Sequence, residues 1–391
     1  MKLKNILEGG LFADGDWIES KDQDPKGKIR LIQLADIGDG IFIDKSKRFI
    51  NKDTSIKLRC TFLEEGDILI ARMPDPLGRA CIFPLKGKNK YVTAVDVCIV
   101  RVNDNCYNKY LQYALNTKGI RNKIESQKTG TTRERITRKK LGELEISLPP
   151  LEQQKKIAAI LDAADELRQK DKALIAKYDE LTQALFLDMF GDPVSNPKGW
   201  KYKALNELVS KLGDGLHGTP VYSDDGDYFF INGNNLESGK ISITPNTKKI
   251  DEAEYLKHKK DLNETTMLVS INGTIGKVAF YNNEKIILGK SACYFNVLKD
   301  SVNEIFLYHI FKSNYFLRYS SSLSTGSTIQ NVSLKTMREF PIPCPQIKLQ
   351  QEFAERVKVI EEQKSIAQAS AIKSEELFNS LLQKAFNGEL V

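Results

Sequence analysis

The sequence predicts an α+β chain: two globular α/β blocks separated by two long helices that form an antiparallel coiled coil, with an internal pseudo-twofold repeat. Three observations carry this. First, Thr129 to Phe190 falls on Thr325 to Phe386 without a gap at an offset of 196 positions. The coincidences include Gly130/Gly326, Lys139/Lys335, Ile146/Ile342, Pro149/Pro345, Gln154/Gln350, Leu181/Leu377 and Phe190/Phe386. Second, two stretches free of Pro and Gly show apolar residues at 3-4 spacing, the signature of a helix with a coiled-coil seam. Third, strand-like runs punctuated by turns fill the chain before each stretch. A duplicated basic chain suits a ligand made of two half-sites on one duplex.

The 391 residues exceed one core and suit about two domains. An apolar content of 41% with 28% charge excludes wholesale disorder. The best candidate for a membrane span, Val92 to Val102, is broken by Asp96 and Arg101, so no membrane partner is expected. The opening MKLKNILEGG lacks a secretory signal, and a cytoplasmic location follows as the expectation. Cys60, Cys81, Cys98, Cys106, Cys293 and Cys344 form no CxxC pair, and the three histidines lack metal-ligand spacing, so no metal site is expected. Charge is uneven: residues 1–148 hold 28 Lys/Arg against 20 Asp/Glu, and the rest of the chain is near neutral. Lys118 to Lys140 alone has nine basic residues and two acidic ones, enough to neutralise phosphates or simply to form a solvated face.

In chain order, residues 1–148 form the first block, with strand-like runs at Ile29–Leu34, Asp67–Ala71, Ala80–Phe83 and Tyr91–Val102. Residues 149–192 form the first long helix, opened by Pro149-Pro150 and closed by Gly191. Its expected seam is Ile157, Ile160, Ala164, Leu167, Leu174, Tyr178, Leu181 and Leu185, interrupted at Asp171. Residues 193–345 repeat the α/β texture: Ile231…Asn235-Leu236…Gly239 echoes Ile32…Asp36-Ile37…Gly40, and Met267–Phe280 echoes Ile68–Phe83. Residues 346–391 form the second helix, with a stripe of Phe353, Val357, Ile360, Ala367, Ala371, Phe378 and Leu381. Lys364 and Ser374 sit at its expected apolar positions. Forty residues of helix span about 60 Å, more than a domain about 30 Å across can cover, so mutual burial of the two seams is the expected packing.

The chain resembles the specificity subunits of type I restriction–modification systems. Leu148-Pro149-Pro150-Leu151 followed by Gln153-Gln154 and Ile157 resembles the opening of that family's first helix. Phe190-Gly191-Asp192-Pro193 with Asn196-Pro197-Lys198-Gly199-Trp200 resembles the lead-in to its second recognition domain. Asp214-Gly215-Leu216-His217-Gly218-Thr219-Pro220 is similar to a DGxHxTP segment common there, and Gly130-Thr131-Thr132 and Gly326-Ser327-Thr328 match a small-residue turn. The first block departs from the pattern: it lacks DGxHxTP and begins instead with Asp14-Gly15-Asp16-Trp17. Cys344-Pro345-Gln346-Ile347 likewise stands in place of LPPL.

The resemblance implies two target recognition domains, each reading half of a split duplex sequence, and no catalysis by this chain. It implies a methylation subunit in two copies and restriction subunits as partners. S-adenosylmethionine, ATP and Mg would then be bound by those partners and not by this chain.

The residues agree with a non-enzyme. Gly289-Lys290-Ser291 has the tail of a phosphate-binding loop, but Glu284 stands where its first glycine is needed. The only Pro-Pro, Pro149-Pro150, follows Leu148 and starts a helix, unlike a methyltransferase's base-holding motif. Two alternatives stay open: a nuclease or methyltransferase with an unrecognised site, and a coiled-coil scaffold that binds proteins only.

Base readout needs Arg, Lys, Asn, Gln, Ser or Thr on loops. In the first block Arg72 and Arg79 flank a Pro-rich turn, and Lys128, Thr131, Thr132, Arg133, Arg135 and Arg138 surround Gly130. In the second, the candidates are His217, Thr219, Asn272, Thr274, Lys277, Ser327, Thr328, Gln330 and Asn331. Arg133 and Arg135 could equally touch only phosphates, and Asn272-Gly273 could be only a hairpin turn. The blocks differ, so an asymmetric target is expected. If the helices set the separation, the half-sites lie about 34 Å, or ten base pairs, apart. Inserting about four to seven residues, one to two helical turns, near Leu174 with compensation near Ser370 should lengthen the unread spacer and leave both half-sites unchanged. Methylation mapping that shows altered half-sites at constant spacing would overturn this ruler.

Overall fold

The computed structural model describes residues 1–130, 133–323 and 331–390. The chain forms two compact units: Met1–Ala173 with Gln368–Val391, and Leu174–Ala367. In the first, strands β1 (Leu11–Asp14), β2 (Ile29–Ile32), β3 (Arg48–Ile50), β4 (Ile68–Ala71), β5 (Ala80–Ile82), β6 (Tyr91–Thr93) and β7 (Val97–Arg101) form two sheets. One is antiparallel in the order β1-β7-β4-β5, the other mixed in the order β3-β2-β6. Helices α1 (Leu3–Ile6), α2 (Lys52–Lys57), α3 (Asn108–Asn116), α4 (Lys118–Ser126) and α5 (Arg138–Gly142) accompany them.

Strand β4 is buried on both faces, as its unbroken Ile-Leu-Ile-Ala demands. Ile68 and Ile70 pack with Leu111, Leu115, Ile120 and Ile124 of α3 and α4. Leu69 and Ala71, pointing the other way, join Ile32, Phe83 and Val97. The expected single run Tyr91–Val102 is in fact two strands in different sheets. The chain turns at Ala94, whose carbonyl accepts Val97 N–H at 3.0 Å, so the hydrophobic run conceals a corner.

The second unit repeats this plan. Its strands are β8 (Tyr202–Ala204), β9 (Val209–Asp214), β10 (Tyr228–Ile231), β11 (Leu236–Glu237), β12 (Lys240–Ile241), β13 (Lys249–Ile250), β14 (Thr266–Ser270), β15 (Val278–Phe280), β16 (Ile286–Leu288), β17 (Ala292–Val297) and β18 (Pro341–Pro343). The sheet β9-β17-β14-β15 has the order of β1-β7-β4-β5, and β13-β10-β16 that of β3-β2-β6. The paired register also repeats: Asp14 faces Cys98, and Asp214 faces Cys293.

The two long helices are α6 (Leu151–Phe190) and, after α7 (Glu252–His258), α8 (Glu304–Lys312), α9 (Asn314–Ser322) and α10 (Leu334–Arg338), α11 (Ile347–Asn387). In the first unit they run antiparallel: Arg168 meets Glu375 at 2.9 Å, and Asp171 accepts from Ser370 at 3.3 Å. Ile157, Ala158, Leu161, Ala164, Phe378 and Ala385 form the apolar filling, with Leu381 partly buried beside them. In the second unit Phe186 and Phe190 close on Phe353 at ring separations of 5.7 and 5.1 Å, Val357 and Leu185 pack with them, and Lys364 pairs with Asp179 at 2.6 Å.

The α11 stripe lies where the spacing places it, with Lys364 and Ser374 among its covered positions. The α6 seam requires a correction. Ile157, Ala164 and Tyr178 are covered, but Ile160, Leu167, Leu174 and Leu181 are exposed. Leu161, Arg168, Ile175 and Thr182, each one residue later, take the inner places. Both assignments keep 3-4 spacing, and polar side chains at the inner positions disguise the seam. Arg168 holds its inner position by stacking its guanidinium 4.1 Å over Phe378 and pairing with Asp165 and Glu375. Thr182 returns its hydroxyl to Tyr178 O at 3.0 Å. Leu161→Ala should therefore destabilise the chain by about 2–5 kcal/mol in urea unfolding, and Leu167→Ala by under about 0.5 kcal/mol. Equal losses would return Leu167 to the seam.

Candidate nucleic-acid interface

Two loop segments meet at one end of each antiparallel sheet. The turn after β4 is joined to the segment before α5 by Ile136 N–H donating to Arg72 O at 3.0 Å. In the second unit, Val332 N–H donates to Ile271 O at 2.8 Å, and Asn272 bridges Asn331. Thr129 and Arg135 exchange two backbone bonds of 2.9 Å each. Gly130 sits at φ +99°, where a Cβ would lie 2.5 Å from Arg133 O, so glycine is required there. Asn272-Gly273 lies within the β14–β15 hairpin connection, tied by Lys277 N–H to Ser270 Oγ at 3.0 Å.

Arg72 and Arg79, expected to reach bases, are instead internal braces, 8% and 7% exposed. Arg72 donates to Ile136 O, Val95 O and Asp14 at 3.0, 3.1 and 2.5 Å. Arg79 donates to Ile37 O at 2.6 Å, Pro76 O at 2.9 Å and Leu34 O at 3.0 Å, and burial pushes its pKa down. Their fixed donor forks satisfy carbonyls that the loop would otherwise bury unpaired.

Lys128 is clasped by Glu125 and by Glu134, the latter at 2.8 Å; both hydrogen bonds raise its pKa, and its charge is largely neutralised. Arg138 pairs with Asp14 at 3.3 Å and donates to Phe12 O, but remains partly exposed. Arg133 and Arg135 are exposed. Thr131, Thr132, Ser327, Thr328 and Gln330 lie outside the described residues.

In the second unit the described candidates are polar and, apart from Lys277 and His217, uncharged. Thr219, Thr274 and Asn331 are exposed, and Asn272 and Lys277 half-buried. His217 is exposed, its Nε2 2.6 Å from Asp214 Oδ2. Sequence reasoning set Asp14-Gly15 against Asp214-Gly215 but missed the role of Asp14, which gathers Arg72 and Arg138. Among the described residues, no group of three or more His, Cys, Asp or Glu is placed to hold a metal ion, and no helix is long and apolar enough to cross a membrane. Cys81, Cys98, Cys106 and Cys293 are buried free thiols, raised in pKa by desolvation.

Residues 1–177 and 197–374 each match the type I restriction modification DNA specificity domain. The chain belongs to the specificity subunits of type I restriction–modification systems. The MjaVIII specificity subunit of Methanocaldococcus jannaschii is 24% identical over 362 residues, 87% of this chain and 81% of that one. The Mycoplasma pneumoniae protein S.MpnORF507P is 29% identical over 230 residues, and this match spans 57% of either chain. In fold, this specificity subunit is similar to the type I S subunit from M. genitalium, with a TM-score of 0.56 at 17% identity, covering 99% of this chain and 95% of that one. A chain solved in work on assembly and conformational transition of the type I system gives a TM-score of 0.59 at 18% identity, covering 100% and 97%.

Of the candidate cations, Arg133 and Arg135 are exposed, and Arg135 exchanges two backbone bonds with Thr129. Replacing both by alanine should weaken duplex binding across sequences and flatten log K against log salt by about 0.9 for each phosphate no longer neutralised. An unchanged slope in a salt titration would remove this turn from the phosphate path.

Proposed function

We propose that this specificity subunit reads a split, asymmetric duplex target, one half-site per unit, while methylation and restriction subunits supply the chemistry. The observation that carries the reading is a repeated scaffold with dissimilar side chains at matching loop positions. Arg72 and Ile271 occupy the same backbone position, each accepting the bond from Ile136 or Val332, so the two frames match although these buried side chains differ. The exposed turn residues differ likewise, arginines in the first unit and Asn, Thr and His in the second. Equal frames that present unequal donors and acceptors select different base edges.

The direct contacts proposed are Arg133, Arg135 and Arg138 in the first unit, and His217, Thr219, Asn272, Thr274, Lys277 and Asn331 in the second; Thr131, Thr132, Ser327, Thr328 and Gln330 belong to the same turns in sequence. S-adenosylmethionine, ATP and Mg would serve the partner subunits, of which two copies of the methylation subunit match a duplicated chain. The exposed apolar residues Ile160, Leu167, Leu174 and Leu181 suit a protein partner, since leaving them in water is costly.

Genome-wide mapping of N6-methyladenine in the source cell, with and without this gene, tests the reading. Loss of one motif with two short half-sites and a fixed gap is the expected result. Survival of every methylated motif, in a cell whose methylation subunit is active, would overturn it.

A further inference from the structure

The register of β1 in the first unit and β9 in the second brings out a match that the 196-residue repeat conceals. Asp14 on β1 faces Cys98, and Asp214 on β9 faces Cys293. The glycine after each aspartate is locked against the neighbouring chain: a Cβ on Gly15 would lie 2.2 Å from Ala94 O, and one on Gly215 2.1 Å from Leu288 O. The next residues form matching parallel bridges, Asp16 with Ala94 and Leu216 with Gly289. The structural offset here is therefore 200, and Trp17 occupies the position of His217. The first unit does possess the second unit's Asp-Gly turn, with tryptophan in place of histidine.

The side chains around Trp17 face inward. Asp16 accepts Thr61 N–H at 3.0 Å, and Ile18 packs on Ile29, Leu31, Ile50 and Val92. Trp17 faces out, 65% exposed, and its indole lies against the Glu19 carboxylate, which Lys21 already pairs. The same turn is tied to the proposed contact surface through Asp14, held by Arg72 and Arg138. In the second unit Ile271 and Leu334 replace those arginines, and Asp214 takes His217 instead. Removing the arginines frees the carboxylate to orient a polar reader; retaining them leaves the first unit with an aromatic one.

We infer that this Asp-Gly turn is a reading loop in the first unit as it is proposed to be in the second, and that Trp17 is a specificity-determining residue there, packing its ring against a nucleobase or sugar of duplex DNA. An exposed indole on a rigid turn offers contact area at small entropic cost, and aromatic side chains are used against bases in this way. The inference rests on the DNA-reading role proposed above.

The test uses the full chain carrying Trp200→Phe, which leaves Trp17 as the one tryptophan, with a randomised duplex pool as probe. The unsubstituted chain serves as a second reporter should Trp200→Phe fold poorly: Trp200 has its Nε1 bonded to Phe190 O at 2.8 Å, and Trp17→Phe in the same background gives its emission alone, to be subtracted. Duplex should quench Trp17 emission and shield it from acrylamide. Trp17→Ala should weaken binding roughly 5-fold, the lower end of the range for removing an aromatic ring stacked on an unpaired base, and Trp17→Phe should recover most of it. In methylation mapping, Trp17→Ala should relax one half-site and leave the other intact. Duplex that binds with steep salt dependence, yet leaves Trp17 emission and Trp17→Ala affinity unchanged, overturns the inference alone. Absence of any duplex binding by the full chain overturns both it and the reading beneath it.

Discussion

A buried glutamine amide at the start of each long helix joins that helix to the globular part of its unit. Gln154 is fully covered; its Oε1 accepts Tyr107 N–H at 2.8 Å, and its Nε2 donates to Asn105 O and Pro149 O at 3.0 and 2.8 Å. Gln350 repeats this from the second helix, accepting Asn303 N–H at 2.9 Å and donating to Pro345 O at 2.8 Å. Each amide therefore ties the helix start, the proline before it and the lead-in to α3 or α8 into one joint. An unsatisfied buried amide costs about 1–3 kcal/mol, so the joint has one arrangement that satisfies every donor and acceptor. Asn303 extends the joint in the second unit: while its N–H serves Gln350, its side chain caps α8 at Ile305 N and Phe306 N. In the first unit Asp162 adds a second tie, accepting from Tyr113 OH at 2.9 Å and pairing with Lys109 at 2.5 Å.

The consequence is a division of labour within each unit. Cores and joints are nearly interchangeable: Gln154 and Gln350, Thr137 and Ser333 as helix caps, Phe190 and Phe386 on the helix faces. The loop ends are not. Ile136 and Val332 make the same backbone bond, but the residues receiving it are Arg72 and Ile271. A rigid frame lets such exchanges alter what is presented without altering where it is presented, which preorganised recognition requires.

Much of this was legible in the sequence because helices and repeats are local. Pro149-Pro150 and Gly191 bracket α6, and the spacing of Phe353, Val357, Ile360 and Phe378 places the α11 seam. The rest depends on pairing that no local pattern encodes. Leu161 and Leu167 are equivalent in hydrophobicity, and only Phe378, from the distant end of the chain, decides that Arg168 belongs inside. Arg72 and Arg79 look like base readers until the loop closes and presents carbonyls to them. The short strand β1 has no clean alternation, so the match of Trp17 with His217 emerges only from register.

The basic run from Lys118 to Lys140 shows why charge counting overstates a binding surface. Arg121 pairs with Asp39 at 2.5 Å, Lys128 with Glu125 and Glu134, Arg138 with Asp14, and Lys140 donates to Gln127 O at 2.7 Å. Those cations hold the loops in shape, and a neutralised pair projects little field beyond a Debye length. Lys118, Lys123, Arg133, Arg135 and Lys139 stay exposed, and under the proposed reading these fewer cations would serve the phosphates. Weak general attraction is an advantage to a protein that must choose among sequences. Affinity for phosphates is shared by every site on the duplex, so discrimination has to come from base-edge contacts on the turns. Cations engaged in building the frame thus favour selectivity over grip.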